Sequence, residues 1–497
     1  MAEKYKNFIS GKWVDSRTGR SFENRNPAKW DEVIGIFPKS SSEDVEDAID
    51  AAKKSYPQWS NTPAPKRGEI IRRAGEIMVR RKEELARLMT MEMGKILKET
   101  RGDVQEGIDT AFYAFGEGRR LFGHTTPSEL SNKIAYTMRR PIGVWGVITP
   151  WNFPIAIPTW KIFPAILTGN TVVFKPATDT PASAAKFVEI LAEAGVPDGV
   201  VNLVFGSGAE VGETLINHTE IKGISFTGSS EIGRRIGETT GKHLKRCSLE
   251  LGGKNAQIVM PDANLELALE GVLWGAFGTT GQRCTATSRL ILHEDVYDKF
   301  IEMLVERTKK IKIGYGLDET VEMGPMINER QINTVEYYIN IGKEEGAKMI
   351  YGGERYTEND CDKGWFFNPT IFIDVTPDMR IAQEEIFGPV LSVIKISSLK
   401  QAIEVINRTK YGLSSSIYTQ DVNNAMLAAE HIEAGITYVN GPTIGAECHL
   451  PFGGVKDTGN GHREGGWTVF EIFTELKTVY IDYSGKLQKA QIDTWDQ

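Results

Sequence analysis

The period of apolar positions changes along the chain. Near the N-terminal end, Asn7-Phe8-Ile9-Ser10-Gly11-Lys12-Trp13-Val14 reads as a hairpin, and Ser42 then heads a helix whose Val45, Ala48, Ile49 and Ala52 share one face. A second amphipathic helix follows Pro65. Ile70, Ile71, Ala74, Ile77 and Met78 form its buried stripe, with Arg72, Arg73, Arg80, Arg81 and Lys82 mostly outside it, a solvated face rather than a binding patch. Helical spacing continues through Leu85, Leu88 and Met89 to Gly94, resumes over 101–120, and breaks at Gly123. Residues 132–140 alternate as a strand does.

From Pro141 the pattern becomes strand then helix, repeatedly. Short apolar runs at 144–149, 171–175, 201–205 and 223–227 are separated by segments of helical spacing such as Ala182, Ala185, Phe187, Val188, Ile190 and Leu191. This alternation predicts an α/β fold with a parallel, doubly wound, Rossmann-like sheet and right-handed crossovers. It starts again at Gln257-Ile258-Val259-Met260, with a helix over 264–278, a strand over 288–292 and a helix over 296–311, which predicts a second α/β domain. Glu384 to Val390 and Pro451 to Gly454 are loop-like. Residues 474–481 alternate and suit a strand paired with another segment or another subunit. Ligands of open parallel sheets bind beyond the carboxyl ends of the strands. There the chain supplies Lys175, Gly206-Ser207-Gly208 and Gly228-Ser229-Ser230-Glu231-Ile232-Gly233. Gly206-x-Gly208-x-x-x-Gly212 misses the dinucleotide fingerprint by one residue, and either glycine loop alone is explained by an ordinary turn. Two on consecutive units offer helix N-terminal amides to a pyrophosphate.

Composition narrows the function classes. A length of 497 residues predicts two or three domains, and a formal net charge of -8 with both signs interspersed gives neither a basic stripe for nucleic acid nor a polybasic membrane patch. No apolar run reaches the roughly 18 residues of a membrane span, and Met1-Ala2-Glu3-Lys4-Tyr5-Lys6 lacks the apolar core of a secretion signal, so the expected location is the cytoplasm. Cys247, Cys284, Cys361 and Cys448 are scattered without Cys-x-x-Cys spacing, and the seven histidines form no His-Glu-x-x-His, so neither a disulfide framework nor a metal site is expected.

Two stretches carry candidate chemistry. Phe277-Gly278-Thr279-Thr280-Gly281-Gln282-Arg283-Cys284 offers a thiol behind glycines, and Leu249-Glu250-Leu251-Gly252-Gly253-Lys254-Asn255 a carboxylate before a Gly-Gly turn. A thiol attacks as thiolate, and with an ordinary pKa of about 8.5 it needs help from its surroundings. Gly281 lets the backbone approach whatever binds there, and the Cys284 amide can face an oxyanion. Glu250 lies too far upstream for local geometry to bring it to Cys284, so the fold must do so.

Those two stretches, with Pro150-Trp151-Asn152-Phe153-Pro154, Phe226-Thr227-Gly228-Ser229, Glu385-Ile386-Phe387-Gly388-Pro389 and Pro451-Phe452-Gly453-Gly454, occur in an order that resembles the NAD(P)-dependent aldehyde dehydrogenases over nearly the whole chain. The resemblance implies a cofactor domain over 1–122 and 142–253, a catalytic domain over 254–457, and a small β oligomerisation arm with a tail over 123–141 and 474–497. It implies that Cys284 attacks the aldehyde and that the Asn152 amide and the Cys284 N–H hold the oxyanion, each donor being worth about 3 kcal/mol in the transition state. Lys161 would support that site. Loss of hydride to the nicotinamide would leave a thioester, which water activated by Glu250 hydrolyses to a carboxylic acid. Cofactor contacts are implied at Ile148, Thr149, Pro150, Trp151, Lys175, Thr178, Gly208, Phe226, Gly228, Ser229, Ile232, Leu251, Gly252, Gln331, Glu385 and Phe387, with Lys175 and Glu385 on the two riboses and Ser229 at the pyrophosphate.

The chain departs from the NAD-preferring pattern at Thr178, where such members carry a glutamate that repels a 2'-phosphate. NADP is therefore expected to be accepted beside NAD, with Asp179 next door as the counter-argument. Trp160 stands where succinic semialdehyde-specific members carry an arginine, and with Phe153 and Phe452 it suggests an apolar substrate tunnel. The runs Gly281 to Arg289 and Lys161 to Ala165 nevertheless resemble dehydrogenases of 2-oxoglutarate semialdehyde (2,5-dioxopentanoate). An acylating enzyme that passes the acyl group to coenzyme A would lack the base, which Glu250 argues against. A non-catalytic binding relative would be free to lose Cys284, Glu250 or Asn152, and all three are present. The expected partners are a small aldehyde and further copies of the chain, as dimer or tetramer.

Overall fold

The computed structural model describes residues 2–492. Its first seven-stranded sheet runs in the order Arg246–Glu250, Ile221–Thr227, Val144–Ile148, Thr171–Lys175, Val201–Leu203, Asn7–Ile9 and Lys12–Val14. The first five strands are mutually parallel, and the N-terminal hairpin closes the sheet antiparallel through Leu203 opposite Phe8. Val144–Ile148 and Thr171–Lys175 are buried along their whole length, which explains why they read as unbroken apolar runs. The helix Ala156–Leu167 is likewise buried on every side. The strand Arg246–Glu250, hidden in the sequence behind a charged start, places Glu250 opposite Thr227 at the carboxyl edge.

The second seven-stranded sheet has the order Lys348–Tyr351, Thr370–Ile373, Val390–Ile396, Thr287–His293, Asn255–Val259, Ser414–Tyr418 and Ile436–Val439, parallel except at Lys348–Tyr351. Its Asn255–Val259 follows directly on the first sheet's Arg246–Glu250, so Leu251 to Lys254 link the two sheets. The helix expected over 264–278 is Leu265–Phe277, capped by the Asn264 side chain on the Leu267 amide.

Several boundaries shift for local reasons. The helix expected from 101 begins at Leu97, whose amide is taken by the Gly316 carbonyl. The one expected over 296–311 is Tyr297–Thr308 after a short tight turn. The strands Ser21–Asn26 and Lys29–Pro38 and the helix Glu329–Glu344 were not expected, because charged residues break their apolar period. Arg72 is paired with Glu69 and Glu76 along its own helix, as suits a solvated face. Lys133–Pro141 pairs antiparallel along its whole length with Thr474–Asp482 of the same chain, so the strand expected over 474–481 pairs with another segment on one edge. Residues 493–497 of the expected tail lie outside the described residues. Among the described residues no helix is long and apolar enough to cross a membrane.

Candidate active site

Cys284 is delivered by a strained turn. After Leu265–Phe277, Thr279 and Thr280 take left-handed backbone angles (φ 53° and 57°) and Gly281 follows at 68°. Left-handed backbone at a β-branched residue costs about 1–3 kcal/mol, so the surroundings must enforce it. They do: Glu99 accepts from the Thr279 amide at 2.9 Å, Thr280 Oγ1 donates to the Gly324 carbonyl at 2.8 Å, and Gln282 Oε1 accepts from the Ile327 amide at 2.9 Å. A Cβ on Gly281 would fall 2.2 Å from the Gly388 carbonyl oxygen. The Cβ side of Gly281 is therefore filled by the loop that carries Gly388. On the other side, Asn255 Nδ2 donates to the Cys284 carbonyl at 2.8 Å.

The thiol opens onto a cavity of about 1290 Å³ that is also lined by Glu250, Phe153, Trp160, Phe452, Arg283 and Glu464. The Trp160 and Phe452 rings meet edge-on at 4.9 Å and pack with Leu413 against Cys284. Asn152 Nδ2 donates to the Gln282 carbonyl at 3.2 Å, which holds the amide beside the Cys284 loop. Burial pushes the Cys284 thiol up to about 12, with the charges of Glu385 and Glu250 adding to it, so the thiolate forms only when a proton acceptor or a bound positive charge assists.

Glu250 is almost fully buried, and neither carboxylate oxygen has a hydrogen-bond partner among the described residues. Its pKa is raised well above the ordinary carboxylate value by burial and by Glu464, against the opposing charges of Lys161 and Arg463. Lys161, expected to support the oxyanion, has its ammonium in a buried ion pair with Glu464 and 3.1 Å from Ser225 Oγ. Glu464 itself was missed. It stands in no recognisable motif, and only a strand-like exchange of backbone bonds with Phe452 brings it here. Arg283 was quoted only as part of a motif. Its guanidinium donates to Glu99 at 2.8 Å and to Thr279 Oγ1 at 2.9 Å on the cavity wall.

The expected cofactor residues gather at the carboxyl edge of the first sheet. Ile148 is in register with Lys175 on one neighbouring strand and with Phe226 on the other, so three strands end at one level. The Thr149 amide donates to the Lys175 carbonyl at 3.2 Å, and the buried Lys175 amine, pushed down to about 8, donates to the Pro176 carbonyl. Ser229 Oγ caps the helix Ser230–Lys242 at the Ile232 amide, Ile232 is 42% exposed, and Gly228 donates its amide to the Glu250 carbonyl. Trp151 meets Phe387 edge-on at 5.4 Å. Glu385 accepts from the Gly253 amide at 2.9 Å, and a Cβ on Gly252 would lie 2.3 Å from its other oxygen. Gln331 Nε2 donates to the Ile386 and Phe387 carbonyls and so fixes the loop that carries Glu385. Thr178 is exposed, and Asp179 is engaged by Asn328 at 2.8 Å. Gly208 faces open space. Thr227 Oγ1 is buried at this edge without a partner among the described residues. A capped helix N-terminus, an unpaired hydroxyl and a carboxylate at parallel strand ends fit a dinucleotide.

A family model described as "Aldehyde dehydrogenase family" matches residues 13–479. The chain belongs to the aldehyde dehydrogenase family. It is an oxidoreductase acting on aldehydes. It is 43% identical over 477 residues to the alpha-ketoglutaric semialdehyde dehydrogenase of Bacillus subtilis (strain 168), a match covering 96% of this chain and 98% of that protein. It is 44% identical over 475 residues to the 2,5-dioxopentanoate dehydrogenase of Saccharolobus solfataricus, covering 95% and 98%. Among solved structures, betaine aldehyde dehydrogenase from Staphylococcus aureus in complex with NAD+ superposes with a TM-score of 0.95 at 35% identity, covering 97% of this chain and 96% of that one.

Proposed function

We propose that this enzyme oxidises a short carboxylated semialdehyde, of the 2-oxoglutarate semialdehyde kind, to the acid with NAD or NADP. The observation that carries the reaction is that Cys284 and the unpaired carboxylate of Glu250 open onto one cavity. The Cys284 thiol passes its proton to solvent in the cavity as Sγ bonds to the aldehyde carbon, and the oxyanion is held by the Asn152 amide and the Cys284 N–H. A nicotinamide dinucleotide bound along Lys175, Ser229 and Glu385 supplies the hydride-accepting chemistry. The acyl group remains on Sγ as a thioester until Glu250 takes a proton from the attacking water and the acid leaves. Lys161 offsets the second carboxylate, Glu464, and keeps Glu250 able to ionise. The cofactor unit is assigned to 1–122 with 142–253, and the catalytic unit to 254–457.

For the substrate, Arg283 beside Phe153 supplies a cation on the cavity wall for a carboxylate, in keeping with the names of the two relatives. A second reading, a cationic aldehyde, is favoured by Asp109 and Glu447 on the same wall. The exposure of Thr178, with no glutamate in its place, supports acceptance of NADP. Steady-state kinetics over carboxylated, aliphatic, aromatic and amino aldehydes with both cofactors, wild type beside Cys284→Ala, test the reading. We expect the highest kcat/KM for carboxylated semialdehydes and no turnover by the variant. Indifference to the carboxylate would sink the substrate assignment. The three-stranded arm is proposed to join copies of the chain.

A further inference from the structure

Glu99 and Asp103 stand four residues apart near the start of the helix Leu97–Glu117, so they share one face, and both line the cavity onto which Cys284 opens. Each carboxylate is turned to a different loop of the site. Both Glu99 oxygens accept from the Thr279 amide, at 2.9 and 3.1 Å, and one of them also accepts from Arg283 Nη2 at 2.8 Å. Arg283 Nε reaches back to Thr279 Oγ1 at 2.9 Å, so one carboxylate holds both ends of the strained turn that leads into Cys284.

Asp103 holds the loop that carries Asn152. Its Oδ1 accepts at 2.8 Å from the amide of Ala156, the first residue of the helix Ala156–Leu167, and its Oδ2 accepts at 2.9 Å from the Lys95 amine. Both side chains of this ion pair are fully buried. The same amine lies 3.4 Å from the centroid of the Phe153 ring, so the residue next to Asn152 is gripped from this side as well. The contacts close through Asn152 itself, whose Nδ2 donates to the Gln282 carbonyl at 3.2 Å. Helix face, turn 279–284 and loop 152–156 thus form one closed circuit, and both oxyanion donors lie on it.

We propose that Glu99 and Asp103 are positioning residues that set the Cys284 N–H and the Asn152 amide at the separation the oxyanion needs, one helix face fixing both loops. Neither carboxylate touches the reacting atoms: Glu99 acts through Thr279 and Arg283, Asp103 through Ala156 and Lys95. The inference rests on the reading of Asn152 and the Cys284 N–H as the oxyanion donors. Aimed donors lose their worth steeply when displaced, and a misplacement of about 1 Å can slow the chemical step about 100-fold.

Rapid mixing of the full-length enzyme with saturating NAD+ and an aldehyde reads the rate at which reduced cofactor appears in the first turnover, before thioester hydrolysis. Running it with 2-oxoglutarate semialdehyde and with propanal frees the test from the substrate assignment. Lys95→Met with Asp103→Leu removes the buried pair as a unit and with it the acceptor for the Ala156 amide, whereas Lys95→Met with Asp103→Asn keeps a neutral acceptor there. The leucine variant should slow the first turnover about 10- to 100-fold, and the asparagine variant should recover most of that loss. Glu99→Leu and Glu99→Gln make the same comparison at the Thr279 amide, and if thermal melting shows that one set does not fold, the other carries the test. Added to Asn152→Ala, the leucine variant of either set should cost at least about threefold less than it costs alone, because a donor it positions is gone. Equal rates for the leucine and the hydrogen-bonding variants, or losses that multiply with that of Asn152→Ala, would overturn the positioning role. An unchanged first turnover in Asn152→Ala alone would instead remove the oxyanion reading beneath it.

Discussion

At the scale of single residues, the site is defined by which charges are left without partners. Glu250 has two carboxylate oxygens without partners among the described residues, in a buried place, and Glu464 on one side with Lys161 behind it decides how readily it ionises. In the proposed mechanism the hydrolytic step needs Glu250 as an anion, and its raised pKa places the loss of that anion closer to neutral pH than for an exposed carboxylate. Turnover should therefore fall as pH drops through this raised value. Glu464→Gln removes a like charge while Lys161 remains, so the acid limb of the kcat profile should move to lower pH. Lys161→Met should move it to higher pH, and a pH profile of the three proteins checks both signs. Glu250→Gln should leave the attack by Cys284 intact and slow thioester hydrolysis by at least about 100-fold. Rapid mixing would then show one burst of reduced cofactor per site followed by little turnover, and steady turnover at the wild-type rate would remove Glu250 from the mechanism.

At the scale of elements, the turn Gly278–Gly281 sets the thiol where the cavity needs it, and its strain is held by partners distant in the chain. Gly281→Ala adds a Cβ 2.2 Å from a backbone oxygen at a φ of 68°, a conflict that no side-chain rotation relieves. We expect a loss of more than about 2 kcal/mol in stability and a slower alkylation of Cys284, read by thermal melting and by iodoacetamide kinetics. The same turn shows what was legible in the sequence. The glycine and the thiol stand out locally, as do the buried strands Val144–Ile148 and Thr171–Lys175, because an unbroken apolar run is a property of the run itself. Glu464, the partner of Lys161, and the strand Arg246–Glu250 were not legible. Their roles come from a pairing across the fold and from a sheet register, and neither leaves a period in the sequence.

At the scale of the whole molecule, Asn152, Glu250 and Cys284, the residues of the proposed mechanism, all come from one chain. The arm is another matter. Its sheet has the order Thr474–Asp482, Lys133–Pro141, Thr125–Pro127, which leaves Thr474–Asp482 with one unpaired edge. Along that strand Leu476 and Tyr480 point to one face and are 56% and 65% exposed, and Ile134 and Met138 on the neighbouring strand are also exposed. A three-stranded sheet with so much bare apolar surface and a free edge is only marginally stable in isolation, and covering it with a second copy would remove both liabilities. Charges at Leu476 and Tyr480 should oppose that cover without touching the cavity. We therefore expect the double variant Leu476→Glu, Tyr480→Glu to show a smaller mass than wild type in multi-angle light scattering, while Cys284 keeps its alkylation rate because its environment is built within one chain. A variant of unchanged mass would mean that copies, if they associate, do so through another surface. A smaller species with an unreactive thiol would mean instead that the association also holds the catalytic turn in place.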